Sequence, residues 1–273
     1  MTVSPSLSWR LANRSIEFCG KPCIMGILNI TPDSFSDAGS FLHFDRAVDH
    51  ALAMEDNGAD IIDIGGESTR PFAEPLSEAD ELRRVIPVIE RLSSRLSAPI
   101  SIDTYKSGVA RAALNAGAEI VNDISSMTFD AEMGSVVAGA GAGVVLMHTR
   151  GRPDEMQLHT VYRDIVQEIS DFFKTALVSA DRAGICRESI VLDPGIGFGK
   201  EQNGNLEILR RLGEFAAHQR PLLVGTSRKS FIGAVLDRPV GERLFGTAAT
   251  VAAAILNGAS IVRVHDVPQM RDV

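Results

Sequence analysis

The sequence predicts an α/β protein folded as one (β/α)8 barrel domain spanning residues 1–273. Three observations carry that prediction. Short apolar, β-branched runs recur at 24–28, 61–64, 100–102, 120–121, 144–147, 190–192, 222–224 and 261–264. They are continuous and do not alternate, as in strands buried on both faces. Helical patterns lie between them, and eight such alternations in a chain of this length fit a closed barrel better than an open sheet. The alternative, a doubly wound open sheet, lacks the dinucleotide fingerprint it would carry after its first strand.

Taken in order, the first twenty residues place Trp9, Ile16 and Phe18 among polar neighbours, a pattern for a short N-terminal hairpin or lid. The stretch GILNITPDSFSDAGS, residues 26–40, opens as a strand and breaks at Asn29 into a Pro-bearing loop. Turn chemistry accounts for its Ser, Asp and Pro residues. It leaves Phe35 unexplained, because a plain surface turn gains nothing by exposing a phenyl ring, so the loop is expected to close over something. Leu82, Val85, Ile86, Ile89, Leu92 and Leu96 follow helical spacing, with Pro87 an expected kink. A longer helical face runs from Tyr162 through Ile165, Val166, Ile169, Phe172, Phe173 and Ala176 to Leu177. Gly58, Gly117, Gly184 and Gly258 each stand a few residues before a strand, where a helix C-terminus calls for glycine.

Composition narrows the function. Lys and Arg total 27 against 35 Asp and Glu, for a net charge of −8, which argues against broad nucleic-acid binding but leaves room for a local basic pocket. No basic segment followed by an apolar core opens the chain, and no apolar run reaches the ~18 residues of a membrane span. The three cysteines show no metal or redox spacing. The expectation is a cytoplasmic protein without membrane or nucleic-acid partners.

Polar residues gather where the apolar runs end. Asn29, the GGESTR stretch at 65–70, Asp103, Asn122, Asp123, His148, Asp193, the SRKS stretch at 227–230, Arg263 and His265 all fall there. In a barrel those positions share the C-terminal face, where active sites lie. Each residue alone has a bland reading as a helix cap, but both signs of charge converging on one face point to a ligand. Arg263 and His265 are two apart on one strand, so they face the same way and suit an anion such as a phosphate. Asp103 and Asp193 end apolar strands, where a carboxylate needs a donor, from a protein cation or from adjacent ligand N–H groups. The run DPGIGFGK at 193–200 fails the P-loop pattern, with Pro194 in place of the first glycine and Glu201 after Lys200. Its alternate glycines are expected to let the backbone approach a flat ligand beside Phe198. Ser230 either holds a carboxylate at a helix N-terminus or caps that helix. With no serine–histidine–aspartate set, HExxH or cysteine cluster, the chemistry is expected to rest on positioning and electrostatics.

The stretches GILNITPDSFSDAG, GADIIDIGGESTRP, ISIDTYK, IVNDIS, VVLMHTRGRPDEMQ, IVLDPGIGFGK, LLVGTSRKSFIG and RVHDV occur in that order. Together they resemble the dihydropteroate synthase family of the folate pathway, over residues 21–267. The resemblance implies a magnesium-dependent transferase in a TIM barrel. It joins 4-aminobenzoate to 6-hydroxymethyl-7,8-dihydropterin diphosphate, and carbon–oxygen cleavage runs ahead of amine attack. It implies a pterin site of Asp103, Asn122, Asp193 and Lys229, and a diphosphate site of Asn29, Thr69, Arg70, Arg263 and His265. Asn29 would also hold the Mg2+. Phe35, Pro71, Phe198 and Ser230 would meet aminobenzoate, Asp37 would steady a cationic methylene, and Arg70 would close over the diphosphate. Lys229, Arg263 and His265 complete the catalytic set. Sulfonamides that mimic aminobenzoate are expected to inhibit. The family usually runs on into a final helix, so a shortened C-terminal helix is expected here, with consequences for a homodimer. Two rivals share the pocket: a pterin-binding methyl-transfer domain, which would not need the SRKSF or TPDSFSD stretches, and a silent pterin-binding paralogue.

Overall fold

The computed structural model describes residues 7–30, 41–68 and 73–273, with only the backbone given for 41–43. An antiparallel hairpin, β1 (Ser8–Arg10) and β2 (Ser15–Glu17), precedes the barrel. The barrel strands are β3 (Cys23–Asn29), β4 (Ile61–Gly65), β5 (Ile100–Asp103), β6 (Ile120–Asp123), β7 (Gly143–Met147), β8 (Ile190–Asp193), β9 (Leu223–Val224) and β10 (Ile261–Val264). Every pairing among them is parallel, in the order β8-β7-β6-β5-β4-β3-β10-β9, and a parallel bridge from Leu192 to Leu222 closes the ring. All eight apolar runs are strands of one barrel, which settles it against an open sheet.

Helices return the chain between strands: α1 (Phe41–Asp56), α2 (Glu78–Leu92), α3 (Ser107–Ala116), α4 (Met133–Ala140), α5 (Ile165–Arg182), α6 (Gln202–Arg210), α7 (Ser230–Leu236) and α8 (Leu244–Leu256). A short α9 (Val267–Asp272) follows β10. Gly58, Gly117, Gly184 and Gly258 all have positive φ, as helix-ending glycines require. Pro87 sits inside α2, which runs on to Leu92, short of the expected Leu96. The apolar face of α2 also carries one acid: Glu81 is fully buried, where Lys106 donates to it.

Strand parity divides the core. Side chains such as Ile62, Ile64, Val121, Leu146, Leu192 and Val262 face out and pack under the helices. Met25, Ile61, Ile120, Val145, Val191, Leu223 and Ile261 face in, filling the barrel with Trp9 and Leu11 of the hairpin segment. The N-terminal pair is therefore a plug at the bottom of the barrel and no lid. Trp9, fully buried, donates its indole N–H to Ser189 O at 2.9 Å. Gly143 makes room for it, since a Cβ there would stand 2.4 Å from Leu11 Cδ2 and 3.0 Å from the indole nitrogen.

Candidate active site

Following inward parity up five of the eight strands leads from the lower layer to a polar one. Ile61 is followed by Asp63, Ser101 by Asp103, Ile120 by Asn122, Val191 by Asp193 and Ile261 by Arg263. These residues sit at strand C-terminal ends, above a dry core and below the mouth. The centre is Arg263. Its Nε donates to Asp63 Oδ2 at 2.6 Å and its Nη2 to Asp103 Oδ2 at 2.7 Å, while Asn122 Nδ2 donates to Asp63 Oδ2 at 3.1 Å. These contacts use two of the five N–H groups of the guanidinium. The other carboxylate oxygens, Asp63 Oδ1 and Asp103 Oδ1, are buried without a hydrogen-bond partner among the described residues. Orphaned acceptors of this kind are costly and mark a place for ligand donors.

Burial pushes the Asp103 carboxyl up to about 7, with the Arg263 charge opposing the shift. Burial also raises Asp193, whose Oδ1 accepts from Gly195 N at 2.7 Å, while the nearby Lys229 charge works the other way. Lys229 is lowered to about 8, mainly by burial. Perturbed groups of both signs around one cavity are what a binding site for a polar, partly charged molecule requires. Lys229 joins Asp193 to the wall beside it, with its ammonium 4.6 Å from the centre of the Phe198 ring and donating to Ile196 O.

The glycine loop after β8 packs closely against the protein's own atoms. Gly195, Gly197 and Gly199 have φ of +67°, +84° and +60°, which alone favours glycine. The close neighbours are the chain's own atoms: a Cβ on Gly195 would stand 2.0 Å from His148 O, and one on Gly197 would stand 3.0 Å from Lys229 Cδ. The loop's carbonyls are fully engaged. Ile196 O accepts from Lys229, Gly197 O from Gln157, Phe198 O from Lys200, Gly199 O from Tyr162 and Lys200 O from Asn205. A loop without regular structure is thereby held as a fixed platform.

The remaining candidates frame the mouth. His265 follows β10; its backbone N–H donates to Ser227 Oγ at 3.2 Å, and its Nδ1 lies 2.9 Å from the same oxygen. That hydroxyl, with one donor and two acceptor sites, can serve both contacts and orients the His265 ring at the mouth. Asn29 is exposed at the end of β3, and its Oδ1 lies over Gly65 next to Asp103. Ser230 is the first residue of α7 and exposed; Lys229 holds the cap position without a side-chain bond, so Ser230 does not act as a simple cap. His148, one of the strand-end candidates, points away into a buried cluster with Lys200. Phe35, Asp37, Thr69, Arg70 and Pro71 lie outside the described residues.

The model of the pterin binding enzyme family matches residues 25–265. The chain belongs to that family. Among its relatives, the dihydropteroate synthase of Synechocystis sp. is 51% identical over 251 residues, 92% of this chain and 87% of the relative. A structure of Xanthomonas albilineans dihydropteroate synthase with 4-aminobenzoic acid superimposes with a TM-score of 0.90 at 40% identity, covering 98% of this chain and 95% of that one. Yersinia pestis dihydropteroate synthase in a sulfonamide drug complex gives 0.91 at 41% identity, covering 97% and 96%.

In this pterin-binding enzyme two residues that the geometry makes prominent are missing from the set expected from sequence. Asp63 shares Arg263 with Asp103, yet it lies within an apolar run, two residues after Ile61 as Arg263 is after Ile261. That shared parity was the available signal. Lys200 is 4% exposed, and its burial had no signal in the local sequence.

Proposed function

We propose that the chain acts as a dihydropteroate synthase, joining 6-hydroxymethyl-7,8-dihydropterin diphosphate to 4-aminobenzoate and releasing pyrophosphate. The observation that carries this reading is the polar layer around Arg263. Two buried carboxylate oxygens there, one on Asp63 and one on Asp103, lack donors among the described residues, beside an amide able to donate and accept and a third carboxylate near Lys229. A pterin ring offers matching groups: a 2-amino group beside N3–H for the Asp193 carboxylate, and further ring donors and acceptors for Asp103 and Asn122. In this reading Asp103, Asn122, Asp193 and Lys229 hold the ring. The N–H groups of Arg263 not used by Asp63 and Asp103 face the diphosphate together with the His265 ring.

The bond that breaks joins the pterin methylene to the bridging oxygen of the diphosphate. The bond that forms joins that methylene to the aryl nitrogen, which then loses a proton. Cleavage runs ahead of attack, because the electron-rich ring supports a cationic methylene. An aryl amine is neutral at cellular pH, so no strong base is called for. Catalysis falls to donors placed where charge grows on the leaving group, and Arg263 and His265 occupy that side. Ser227 orients the His265 ring through its contact with Nδ1. Phe198 and Ser230 form the aminobenzoate side, and the proposal extends to Phe35, Pro71, Thr69, Arg70 and Asp37 in their family roles.

Magnesium fits this donor set. The described residues hold no cluster of three or more His, Cys, Asp or Glu suited to a metal. Asn29 offers one hard amide oxygen at the mouth, and magnesium commonly takes one protein ligand with phosphate and water supplying the rest. When bound it would offset charge on the diphosphate.

The deciding experiment is pyrophosphate release on mixing the chain with both substrates, with and without magnesium. Release that requires aminobenzoate, falls without the metal and is competitively inhibited by a sulfonamide supports the reading. Pterin binding without release would leave the silent-paralogue reading standing.

The proposal includes a homodimer. Helix α8 carries no charge, and Phe245, Ala249, Ala252 and Leu256 form a stripe along its outer side, with Phe245 85% and Leu256 86% exposed. Val235 and Leu236 of α7 are exposed as well. A helix apolar on both sides is expected to be covered. Phe245→Glu should convert a dimer into a monomer in sedimentation velocity. A wild-type chain that sediments as a monomer at micromolar concentration would refute the dimer. Among the described residues no helix is long and apolar enough to cross a membrane.

A further inference from the structure

We infer that Lys200 is a positioning residue for the aminobenzoate side of the site: its buried ammonium ties the end of β7 to the loop after β8 and so fixes where the Phe198 ring stands. The inference rests on the synthase reading above.

The Lys200 ammonium donates to Phe198 O at 2.8 Å and to His148 O at 3.2 Å, and it lies 3.0 Å from His148 Nδ1. A lysine ammonium has three donors and no acceptor, so these contacts saturate it. None of the three is a carboxylate. Burial works against the Lys200 charge and lowers its pKa well below the ordinary lysine value, with the Asp193 charge opposing, so the side chain is held here at a cost that an apolar residue would not carry. What a hydrocarbon could not do is orient the Phe198 carbonyl. The histidine is suited to accepting from the ammonium, because burial first, then the charges of Lys200 and Arg150, push its pKa down to about 2 and Nδ1 stays an acceptor. Its ring meets Phe172 edge-on at 4.9 Å, which fixes its direction.

The consequence falls on the substrate side of the loop. With its carbonyl held from below, Phe198 presents its ring to the Lys229 ammonium, which also reaches Ile196 O in the same loop. Gly195 belongs to the same device, because any Cβ there would push His148 O out of reach of Lys200. Asp103, Asn122 and Arg263 depend on strand ends instead, whereas Asp193 and Lys229 meet the loop through Gly195 N and Ile196 O, so the pterin half of the pocket rests on the loop only in part.

The test is Lys200→Met, which keeps length and removes the donors, with steady-state kinetics in both substrates. We expect KM for 4-aminobenzoate to rise ten- to fiftyfold, with KM for the pterin diphosphate rising by a several-fold smaller factor. A purely structural role would lower the active fraction, reducing kcat without separating the two KM values. A folded variant with both KM values unchanged, or both raised by the same factor, overturns the inference. If Lys200→Met fails to fold, Lys200→Gln keeps one donor for Phe198 O and should raise the aminobenzoate KM three- to tenfold; an unchanged value overturns the inference equally. A wild-type chain that forms no dihydropteroate refutes the underlying synthase reading, and this is determined before any variant is made.

Discussion

Asp193→Asn is expected to weaken binding of the pterin substrate by about a hundredfold or more. The carboxylate stands at the end of β8 with its Oδ1 accepting from Gly195 N at 2.7 Å, leaving Oδ2 for the ligand. An Asn keeps the shape but can turn only one oxygen to a donor. If that oxygen keeps the Gly195 bond, an NH2 group meets the donor edge of the pterin, two donors face to face. If it turns to the pterin, Gly195 N is left unpaired. Either way a charge-assisted bond is lost and a buried donor is stranded, each about 1–3 kcal/mol. Lys229 also loses its counter-charge, which moves its already depressed pKa further down. Titration calorimetry with the pterin substrate measures this directly. Affinity within threefold of wild type would remove Asp193 from the pterin site.

What could be read before folding, and what could not, follows from where each signal resides. The barrel was legible because strands buried on both faces leave uninterrupted apolar runs, and glycines with positive φ punctuate the helices. Asp103, Asn122, Asp193 and Arg263 were legible because each closes or follows such a run, so parity and position together place it on the mouth. Asp63 was hidden, since a single acid inside IIDIGG resembles an interruption of a strand, and only its shared Arg263 contact distinguishes it. Lys200 and Glu81 were hidden for another reason. Their burial is created by segments distant in sequence, His148 in one case and Lys106 in the other. The glycines at 195, 197 and 199 were correctly seen as special, and the structure shows that the protein's own atoms crowd these positions. Close backbone approach is visible in composition, whereas its partner, here His148 O, is not.

Arg263→Met tests the largest electrostatic commitment in the molecule. The side chain it removes holds two carboxylates, Asp63 and Asp103, each of which already has one oxygen without a protein donor. Turnover should fall by about a thousandfold, since losing one donor from a charge-stabilising site typically costs a hundred- to a thousandfold, and this group faces the leaving diphosphate. Stability should fall too, because stripping the partner from a buried ion pair costs about 3–5 kcal/mol. The pH dependence separates this from a simple packing defect. Asp103 is raised from 3.8 to about 7 by burial even with Arg263 present. A group with its folded-state pKa raised binds more protons folded than unfolded, so its stabilising contribution is full below 3.8 and is lost as pH rises through about 7. Removing the guanidinium raises that pKa further, and the loss then continues into the alkaline range. Urea unfolding at pH 5 and pH 8 should therefore show a smaller loss of stability under the acid condition, where Asp103 can protonate, than at pH 8. Equal destabilisation at both values would mean that Arg263 matters to the fold by its volume, and that the charge pairing with Asp63 and Asp103 does not organise the site.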